Sequence, residues 1–429
     1  MSRNGLVVIS NRTASRKAKQ QTNYYGNTQY LQHVFTLSHL FNLAMDVYLV
    51  GGAVRDELLG LAVTERDWVV VGSTPEEMQS LGYKPVGKEF PVFLHPDSKE
   101  EYALARTERK KGRGYHGFEF HASPDVSLQE DLLRRDLTIN AMARNTQGEI
   151  IDPYGGREDL DNKILRHVSD AFAEDPLRVL RVARFAAKYH HLGFKVDKET
   201  HLLMRQIVTS RELREIAPER IWQETTKALI TDAPGEFFQV LLSTHALSQV
   251  YPALYHPFAD GENHAHGLTA LNTICSSHDD AQIRFAALLG GLHYEDKTNN
   301  LNEIKKFTQE FPLSKDIKKL LNLVLSYQHK CHNALQLSSE QLLRLIHYLD
   351  ARRNPERYVN VLNICEVIYN SINKTKKYKQ KQFLLDAVET IENIDIDTWV
   401  QEKVSAEELT NNIRQAQLSR LSELINKYN

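Results

Sequence analysis

The sequence has few cysteines and no long apolar run. Its 429 residues contain three cysteines, Cys275, Cys331 and Cys365, and no two of them form a CxxC pair. A sparse, odd set of cysteines argues against a disulfide framework and favours a reducing compartment, where we expect all three to be small buried apolar residues. No apolar stretch approaches the roughly 18 residues of a membrane helix, so we predict a cytoplasmic protein without a membrane partner.

The sequence also lacks a large excess of charge of either sign. It has 53 Lys and Arg against 55 Asp and Glu, a formal net charge of −2. This balance excludes a basic coat over the whole protein, so any nucleic acid would bind through a local patch. At roughly 100–200 residues per domain the length predicts two to four domains, and 41% apolar residues suffice for real cores.

The first 45 residues contain no Asp or Glu but carry several basic residues, Arg3, Arg12 and Lys17 among them. No basic start with an adjoining long apolar segment is present, which argues against a secretory signal. A basic, acid-free start can also mimic an organelle transit peptide. We expect residues 1–44 to be a disordered basic extension and the folded core to begin at Met45.

Short apolar runs and glycine turns alternate with helical spacing up to about residue 155, which predicts a sheet domain with helices. After residue 165 helical apolar spacing dominates. The sequence therefore predicts an α/β N-terminal sheet domain followed by an elongated all-α helical array. We place soft boundaries between 45–155, 156–260, 261–370 and 371–429.

A glycine pair and two acids form the first candidate site. Gly51-Gly52 follows a strand and begins a helix, a geometry that cradles phosphate, and Arg55 sits one turn into that helix. Glu65 and Asp67 are two residues apart, so on a strand both carboxylates would point to one face. Magnesium bound to oxygen ligands would relieve their repulsion and serve phosphoryl or nucleotidyl transfer. The alternative is a glycine turn with two exposed acids.

Two arginine-rich segments follow. Arg134-Arg135-Asp136 precedes an apolar segment and could also be a solvated helix start. Asp175 is followed by arginines at every third residue, which form a slowly turning stripe on one helix. Like charges at this spacing repel, so a bound polyanion would stabilise them, although a solvated charged face is the alternative. The stripe consists of Asp175, Arg178, Arg181 and Arg184.

Several segments together resemble the class II tRNA nucleotidyltransferases, the CCA-adding enzymes of the DNA polymerase β-like superfamily. The similarity is greatest to the bacterial type that carries an HD phosphohydrolase domain, and it is dense over about residues 45–260. It rests on GGAVRDELLG, ERDWVVVG, EYALARTERKKGRGYHGF, RRDLTINAMA, EIIDPYGG and EDPLRVLRVARFAAKY.

The resemblance implies a role for each matching residue. Gly51, Gly52 and Arg55 match the triphosphate-binding turn, and Glu65 and Asp67 match the two catalytic metal-binding carboxylates. The ribose and nucleotide motif falls on Arg135 and Asp136. The amino-acid template that reads the incoming base falls on Asp175 and Arg178, and the nucleotide-phosphate contacts fall on Arg181 and Arg184. Residues 106–115 resemble the flexible loop that helps the switch from C to A addition.

The sequence departs from the family pattern at two places. Glu65 replaces the first aspartate of Asp-x-Asp, and its extra methylene could weaken catalysis or be absorbed by a small backbone shift. In the HD region His266 or His264 could be a first metal ligand, but Gly290-Gly291 stands where the His-Asp dyad is expected. Because glycine cannot ligate a metal, we predict a helical scaffold without phosphohydrolase activity, in which His293 is an ordinary surface or packing residue.

The densest basic run spans residues 374–381 and is either a solvated loop or a patch that tracks tRNA phosphates. The second interpretation assigns RNA contacts to Lys374, Lys376, Lys377 and Lys379 and makes Tyr378 available for stacking.

The sequence thus predicts template-independent addition of CCA to tRNA from CTP and ATP with Mg²⁺, by a monomer or weak homodimer. The alternatives are a partial CC- or A-adding enzyme, a poly(A) polymerase, or a non-catalytic tRNA-binding protein.

Overall fold

The structure is a computed structural model that describes residues 45–86, 92–110, 118–259, 261–293, 300–374, 377–394 and 405–428. The extension predicted for residues 1–44 lies outside the described residues. The described chain forms two compact units. The first runs to Asp161 and includes His167–Ala171, and the second comprises Asn162–Arg166 and the chain from Phe172 onward.

The first unit combines short strands and short helices. Its strands are β1 (Asp46–Val50), β2 (Asp67–Val71), β3 (Lys84–Val86), β4 (Val92–Leu94), β5 (Glu101–Leu104), β6 (Arg106–Lys110), β7 (Phe118–Ala122), β8 (Ala143–Arg144) and β9 (Ile150–Ile151). Its helices are α1 (Gly52–Leu58), α2 (Pro75–Ser80), α3 (Leu128–Leu133) and α4 (Gly156–Asn162), the last of which ends at the unit boundary.

Seven strands form one mixed sheet in the order β3-β4-β5-β2-β1-β8-β9, while β6 and β7 form a separate antiparallel hairpin. Alternation along the central strand sorts its side chains to two cores. Val70 packs with Met78 and Tyr102 on one side, whereas Val69 packs with Val126 and Leu132 on the other.

The register of β1 and β2 brings two predicted motifs to one end of the sheet. The two strands are antiparallel, and Val50, the last residue of β1, lies opposite Asp67, the first residue of β2. The Gly51-Gly52 turn follows Val50 and therefore begins directly beside Asp67. Residues seventeen positions apart in the sequence meet because β1 ends where β2 begins.

In its described residues the second unit is helical apart from one short parallel pair, β10 (Ile164–Leu165) and β11 (Lys195–Val196). Its helices are α5 (Leu177–Tyr189), α6 (Lys198–Thr209), α7 (Pro218–Leu229), α8 (Pro234–Ser243), α9 (Leu247–Val250), α10 (Pro252–Ala259), α11 (Gly261–Ile274), α12 (Ala281–Leu292), α13 (Asn300–Glu310), α14 (Lys315–His332), α15 (Ser339–Tyr348), α16 (Pro355–Asn373), α17 (Lys379–Glu392) and α18 (Ala406–Tyr428).

A buried arginine joins α12 to α7. Arg284 is 3% exposed, and its Nη1 donates to the carbonyl oxygens of Leu229 and Thr231 at 2.7 and 2.8 Å. Its Nε donates to the carbonyl of His278 at 2.7 Å. The bonds to Leu229 and Thr231 satisfy carbonyl groups at the C-terminal end of α7 that the helix itself leaves unpaired.

The predicted order, an α/β sheet domain followed by a helical array, is confirmed. The finer boundaries at residues 155, 260 and 370 stay predictions. Cys331 and Cys365 are buried as expected, but Cys275 is only half-buried. Among the helices of the described residues, none is both long and apolar enough to cross a bilayer.

Candidate active site

The Gly51-Gly52 turn follows the C-terminal end of β1, and its backbone conformation favours glycine. Gly51 has φ +68°, a left-handed value that costs a side chain strain, and its N–H donates to the carbonyl of Met142 at 3.2 Å. A Cβ added at Gly51 would lie 2.8 Å from Nη1 of Arg135. Glycine is therefore needed for both the turn and the close approach of an arginine.

The two predicted carboxylates lie beside this turn. Glu65 and Asp67 are both exposed, but β2 begins at Asp67, so Glu65 lies in the preceding connection and the expectation of a shared strand is wrong. Their electrostatic coupling shows that they are neighbours nonetheless. Partial desolvation raises the pKa of Asp67, Arg135 opposes that rise, and the negative charge of Glu65 adds to it.

Arg135 is anchored over the turn by a buried carboxylate. Asp131 is fully buried, and its two oxygens accept from Nη2 of Arg134 at 2.8 Å and from Nη2 of Arg135 at 3.2 Å. Burial alone would raise the pKa of Asp131, but the two guanidinium groups outweigh it and hold the pKa below its ordinary value. The result is a fixed, partly exposed cation between Gly51 and Asp67.

Two residues assigned to nucleotide binding face the interior instead. Arg55 is 4% exposed; its Nε donates to Asp56 at 2.8 Å and its Nη1 to the side chain of Asn140. Asp136 is 5% exposed and accepts from the N–H of Leu137 and from Nδ2 of Asn140, each at 2.9 Å. A Cβ added at Gly52 would lie 3.3 Å from Nη2 of Arg55, so this buried guanidinium lies against the glycine turn. The roles of Arg55 and Asp136 in nucleotide binding stay predictions.

The carboxylate pair fits a divalent cation that keeps substrate and water ligands. Glu65 and Asp67 offer only oxygen donors, and desolvation and the charge of Glu65 raise the pKa of Asp67 while Arg135 lowers it. In the part of the chain that the structure describes, no group of three or more His, Cys, Asp or Glu side chains could hold a metal ion by itself. Two carboxylates without further protein ligands suit magnesium, which completes its shell with water and phosphate oxygens.

The arginine stripe in the second unit meets α7. Oδ2 of Asp175 accepts from Nη2 of Arg220 at 3.4 Å, and Nε of Arg184 donates to Oε2 of Glu224 at 2.5 Å. Arg220 and Glu224 are one turn apart on α7, so they form two cross-helix ion pairs on one face. Arg184 is therefore paired with an acid on a neighbouring helix, although no acid lies between the arginines along the stripe itself.

The other stripe members differ in exposure. Arg178 is buried at 7% exposure in the first turn of α5, and Arg181 is half-buried with its guanidinium carbon 5.8 Å from the ring centroid of Phe185. Oδ1 of Asp175 accepts from the N–H of Leu177 at 3.0 Å and so caps the start of α5.

Sequence reasoning missed Asp131, Asn140 and Glu224. Asp131 had a usable signal, since it lies three and four residues before Arg134 and Arg135 and can contact both. Asn140 lies within the RRDLTIN segment but has no mark of its special role. Glu224 had no local signal, because only the packing of α7 on α5 brings it to Arg184.

Two predicted flexible or basic segments differ from expectation. The described part of the 106–115 loop is not a loop, because Arg106–Lys110 is strand β6, paired with β7; residues 111–115 lie outside the described residues. In the basic run Lys376 also lies outside them, whereas Lys374 and Lys377 are exposed and Lys379 begins α17. Tyr378 is only 6% exposed and its hydroxyl lies 3.0 Å from Nδ1 of His332, so it does not offer a stacking surface.

Gly290 and Gly291 lie inside α12 where helices cross closely. A Cβ at Gly291 would lie 2.9 Å from both the Cα of Gly267 and the carbonyl oxygen of His266 on α11. A Cβ at Gly290 would lie 2.5 Å from Cδ1 of Ile368. At the position where a His-Asp dyad is expected, atoms of the neighbouring helices therefore fill the space beside the two glycines.

Among the described residues of this region, no group of three or more potential metal ligands is present. His293 is buried at 6% exposure, which makes it a packing residue rather than a surface one, and the side chain of His264 lies outside the described residues. The absence of phosphohydrolase activity stays a prediction.

Two family models match the chain. The model described as the poly A polymerase head domain matches residues 47–166, which include both carboxylates and the glycine turn. The model described as a probable RNA and SrmB-binding site of polymerase A matches residues 193–256.

Curated relatives match over almost their whole lengths. The multifunctional CCA protein of Hahella chejuensis is 45% identical over 400 residues, which cover 87% of this chain and 94% of that protein. The CCA-adding enzyme of Pseudomonas entomophila is 45% identical over 380 residues, covering 88% and 98% respectively.

Solved structures share the fold. An apo form of a CCA-adding enzyme has a TM-score of 0.67 at 20% identity and covers 94% of this chain and 95% of its own. A complex of a CCA-adding enzyme with CTP has a TM-score of 0.65 at 20% identity, covering 94% and 93%.

Proposed function

The chain belongs to the class II CCA-adding enzymes, a family of tRNA nucleotidyltransferases, and from this premise we propose that it builds or repairs the CCA end of tRNA from CTP and ATP. The observation that carries the proposal is the meeting of the Gly51-Gly52 turn, Arg135 and the Glu65–Asp67 carboxylates at one end of the sheet. An anion-binding turn beside a carboxylate pair is what nucleotidyl transfer requires.

In the proposed reaction the tRNA 3′-hydroxyl oxygen bonds to the α-phosphorus of CTP or ATP, and the bond to the leaving pyrophosphate breaks. Glu65 and Asp67 would hold Mg²⁺, which when bound supplies neutralisation of charge at the reacting phosphate. Arg135 sits where it would bind the triphosphate, with Asp131 fixing its position. Arg55, Asn140 and Asp136 keep the turn in shape beneath the nucleotide.

Base selection is assigned to the start of α5. Asp175 and Arg178 can offer paired acceptors and donors to a base edge, and Arg181 and Arg184 would contact phosphate. The cross-helix pair between Asp175 and Arg220 would fix the direction of the Asp175 carboxylate. We also propose contacts of tRNA with Lys374, Lys376, Lys377 and Lys379, action in the cytoplasm, and a monomer or weak homodimer.

The test uses tRNA that lacks CCA, with Mg²⁺ and with CTP alone, ATP alone or both. We expect two C residues with CTP alone and a complete CCA only with both nucleotides. Products that stop after CC, or that gain A only, identify a partial enzyme, and long A tracts identify a poly(A) polymerase. Tight tRNA binding without incorporation would leave a non-catalytic binding protein.

The assay with Arg178→Ala tests base selection. We expect weaker use of both nucleotides or an altered choice between CTP and ATP, because the arginine would no longer donate to the base. Unchanged kinetics with both nucleotides would remove Arg178 from the template.

A further inference from the structure

A cationic pocket lies between α15 and α18, in a part of the chain that neither matched family model covers. Its volume is about 520 Å³, within the range of small-molecule sites. The residues that matter for its charge and polarity are Glu340, Arg344, His347, Arg352, Arg414 and Gln417. Among the described lining residues, three guanidinium groups face one carboxylate, which leaves an excess of two positive charges.

The single carboxylate cannot neutralise the pocket. Oε1 of Glu340 accepts from Nη2 of Arg344 at 2.9 Å and from Nη2 of Arg414 at 3.0 Å, so one oxygen serves two arginines. Within the part of the chain that the structure describes, Arg352 has one long ion pair, with Nε 3.9 Å from Oε1 of Glu392. The side chains of Arg344, Arg352 and Arg414 are 55–63% exposed, and such exposed ion pairs contribute little to stability and yield readily to a better anion.

An aromatic pair continues this surface. Tyr348 is 54% exposed and stacks on Tyr327, with ring centroids 5.4 Å apart and ring planes 14° apart. Lys330 places Nζ 5.7 and 5.9 Å from the two ring centroids. Tyr348 is four residues after Arg344 on α15, so the two side chains are neighbours on the helix surface.

We propose that this pocket binds a backbone phosphate of the RNA substrate while Tyr348 stacks on an adjoining base or ribose. Arginine matches phosphate through paired donors, and exposed tyrosines stack on unpaired nucleotides. A free nucleotide would need its base and phosphate inside one cavity, whereas here the cationic and aromatic groups lie side by side along an open surface. This inference rests on the proposed function, which makes tRNA the substrate.

The test compares wild type with R344Q/R414Q, with Y348A, and with R420Q as a control on the same helix outside the pocket. We expect R344Q/R414Q to raise the Kd and KM for tRNA lacking CCA on the order of tenfold, with kcat at saturating tRNA and KM for CTP unchanged. The slope of log Kd against log salt should fall by about one, since one phosphate contact is lost.

The other variants separate stacking from charge. Y348A should weaken tRNA binding by a smaller factor and leave the salt slope unchanged, because stacking releases no counterions. R420Q should match wild type, and melting temperatures should show that all variants are folded. Wild-type tRNA affinity and salt slope in R344Q/R414Q would overturn the proposal.

Two further outcomes are distinct. If R344Q/R414Q loses affinity for ATP or inorganic pyrophosphate while tRNA affinity is kept, the pocket binds a free phosphate compound and the RNA assignment is wrong. If wild type binds tRNA through this pocket but incorporates no nucleotide, the proposed function fails while the RNA contact stands.

Discussion

Two pairs of adjacent glycines serve opposite purposes in this molecule. Gly51-Gly52 begins α1 with a left-handed residue, and its missing side chain leaves room for Arg135 beside the carboxylates. Gly290-Gly291 lies within a regular helix, and its missing side chains let α11 and other helices approach. The first pair leaves room for an arginine at a turn, and the second leaves room for neighbouring helices to pack closely.

The comparison shows that a dipeptide acquires its function from the atoms around it. Both pairs exclude a Cβ, but the crowding atom is a guanidinium nitrogen of Arg135 at Gly51 and helix backbone at Gly291. Substitutions in the first region should therefore act mainly on chemistry, and those in the second mainly on stability.

The largest expected effect is on the carboxylates of the first region. Glu65→Ala and Asp67→Ala should lower nucleotide incorporation about a thousandfold or more, because each removes a metal ligand worth several kcal/mol at the transition state. Melting temperatures should change little, since both side chains are exposed. Glu65→Asp is the control and should keep or raise activity; wild-type turnover of Glu65→Ala would remove Glu65 from the site.

Asp131 links stability to chemistry in the same region. Asp131→Asn should destabilise the protein by about 3–5 kcal/mol, because two guanidinium groups lose their buried counter-charge. It should also lower kcat/KM for CTP below what the folded fraction explains, since Arg135 loses its anchor. Urea unfolding and kinetics on the folded protein measure the two effects, with the exposed Asp161→Asn as control. Equal losses in both variants would contradict a positioning role.

In the second region the glycines should behave unequally. A methyl at Gly291 meets backbone and should cost about 1–3 kcal/mol by overpacking, more than the roughly 1 kcal/mol that alanine gains in helix propensity. At Gly290 it meets the ends of Ile368 and Val324, which can move, so Gly290→Ala should cost less. Incorporation per folded molecule should be unchanged in both. A Gly291→Ala protein as stable as wild type would show that the helices do not cross so closely.

Gly51→Ala tests whether a side chain at the turn of the first region displaces Arg135. A non-glycine residue at φ +68° costs about 1–2 kcal/mol, and the new methyl would displace Arg135, so nucleotide KM should rise. Gly60→Ala is a matched control, because Gly60 has φ +69° with nothing within 4 Å of the added Cβ. It should show the same loss of stability without the change in KM, and an equal rise in KM would show that strain alone is responsible.

The smallest effect concerns pH. Because the folded-state pKa of Asp67 is raised, its ionisation opposes folding: the contribution is favourable below the ordinary Asp value of about 3.9 and is lost as pH rises through the folded value. Asp67→Asn should therefore melt slightly above wild type at pH 7 in the presence of a chelator. That gap should shrink as pH falls towards about 4, and a gap that grows instead would contradict the raised pKa.

Much of the site was predictable from local pattern. Gly51-Gly52 after an apolar run, the spacing of Glu65 and Asp67, and the order of six motifs were enough to predict the α/β fold and the family. These features are local because turns, strand ends and catalytic loops need particular residue types at fixed spacings. The same reasoning failed for Tyr378, since a basic neighbourhood does not reveal that an aromatic ring packs inward.

The sequence by itself determined which side chains carry guanidinium groups and carboxylates, and that Gly290-Gly291 cannot ligate a metal. Only the tertiary structure decided which groups meet. The antiparallel register places Val50 opposite Asp67, Asp131 fixes Arg135, and Glu224 neutralises Arg184 from another helix. Such pairings depend on packing between residues distant in the chain, and packing free energy, unlike turn propensity, is not encoded in any short segment.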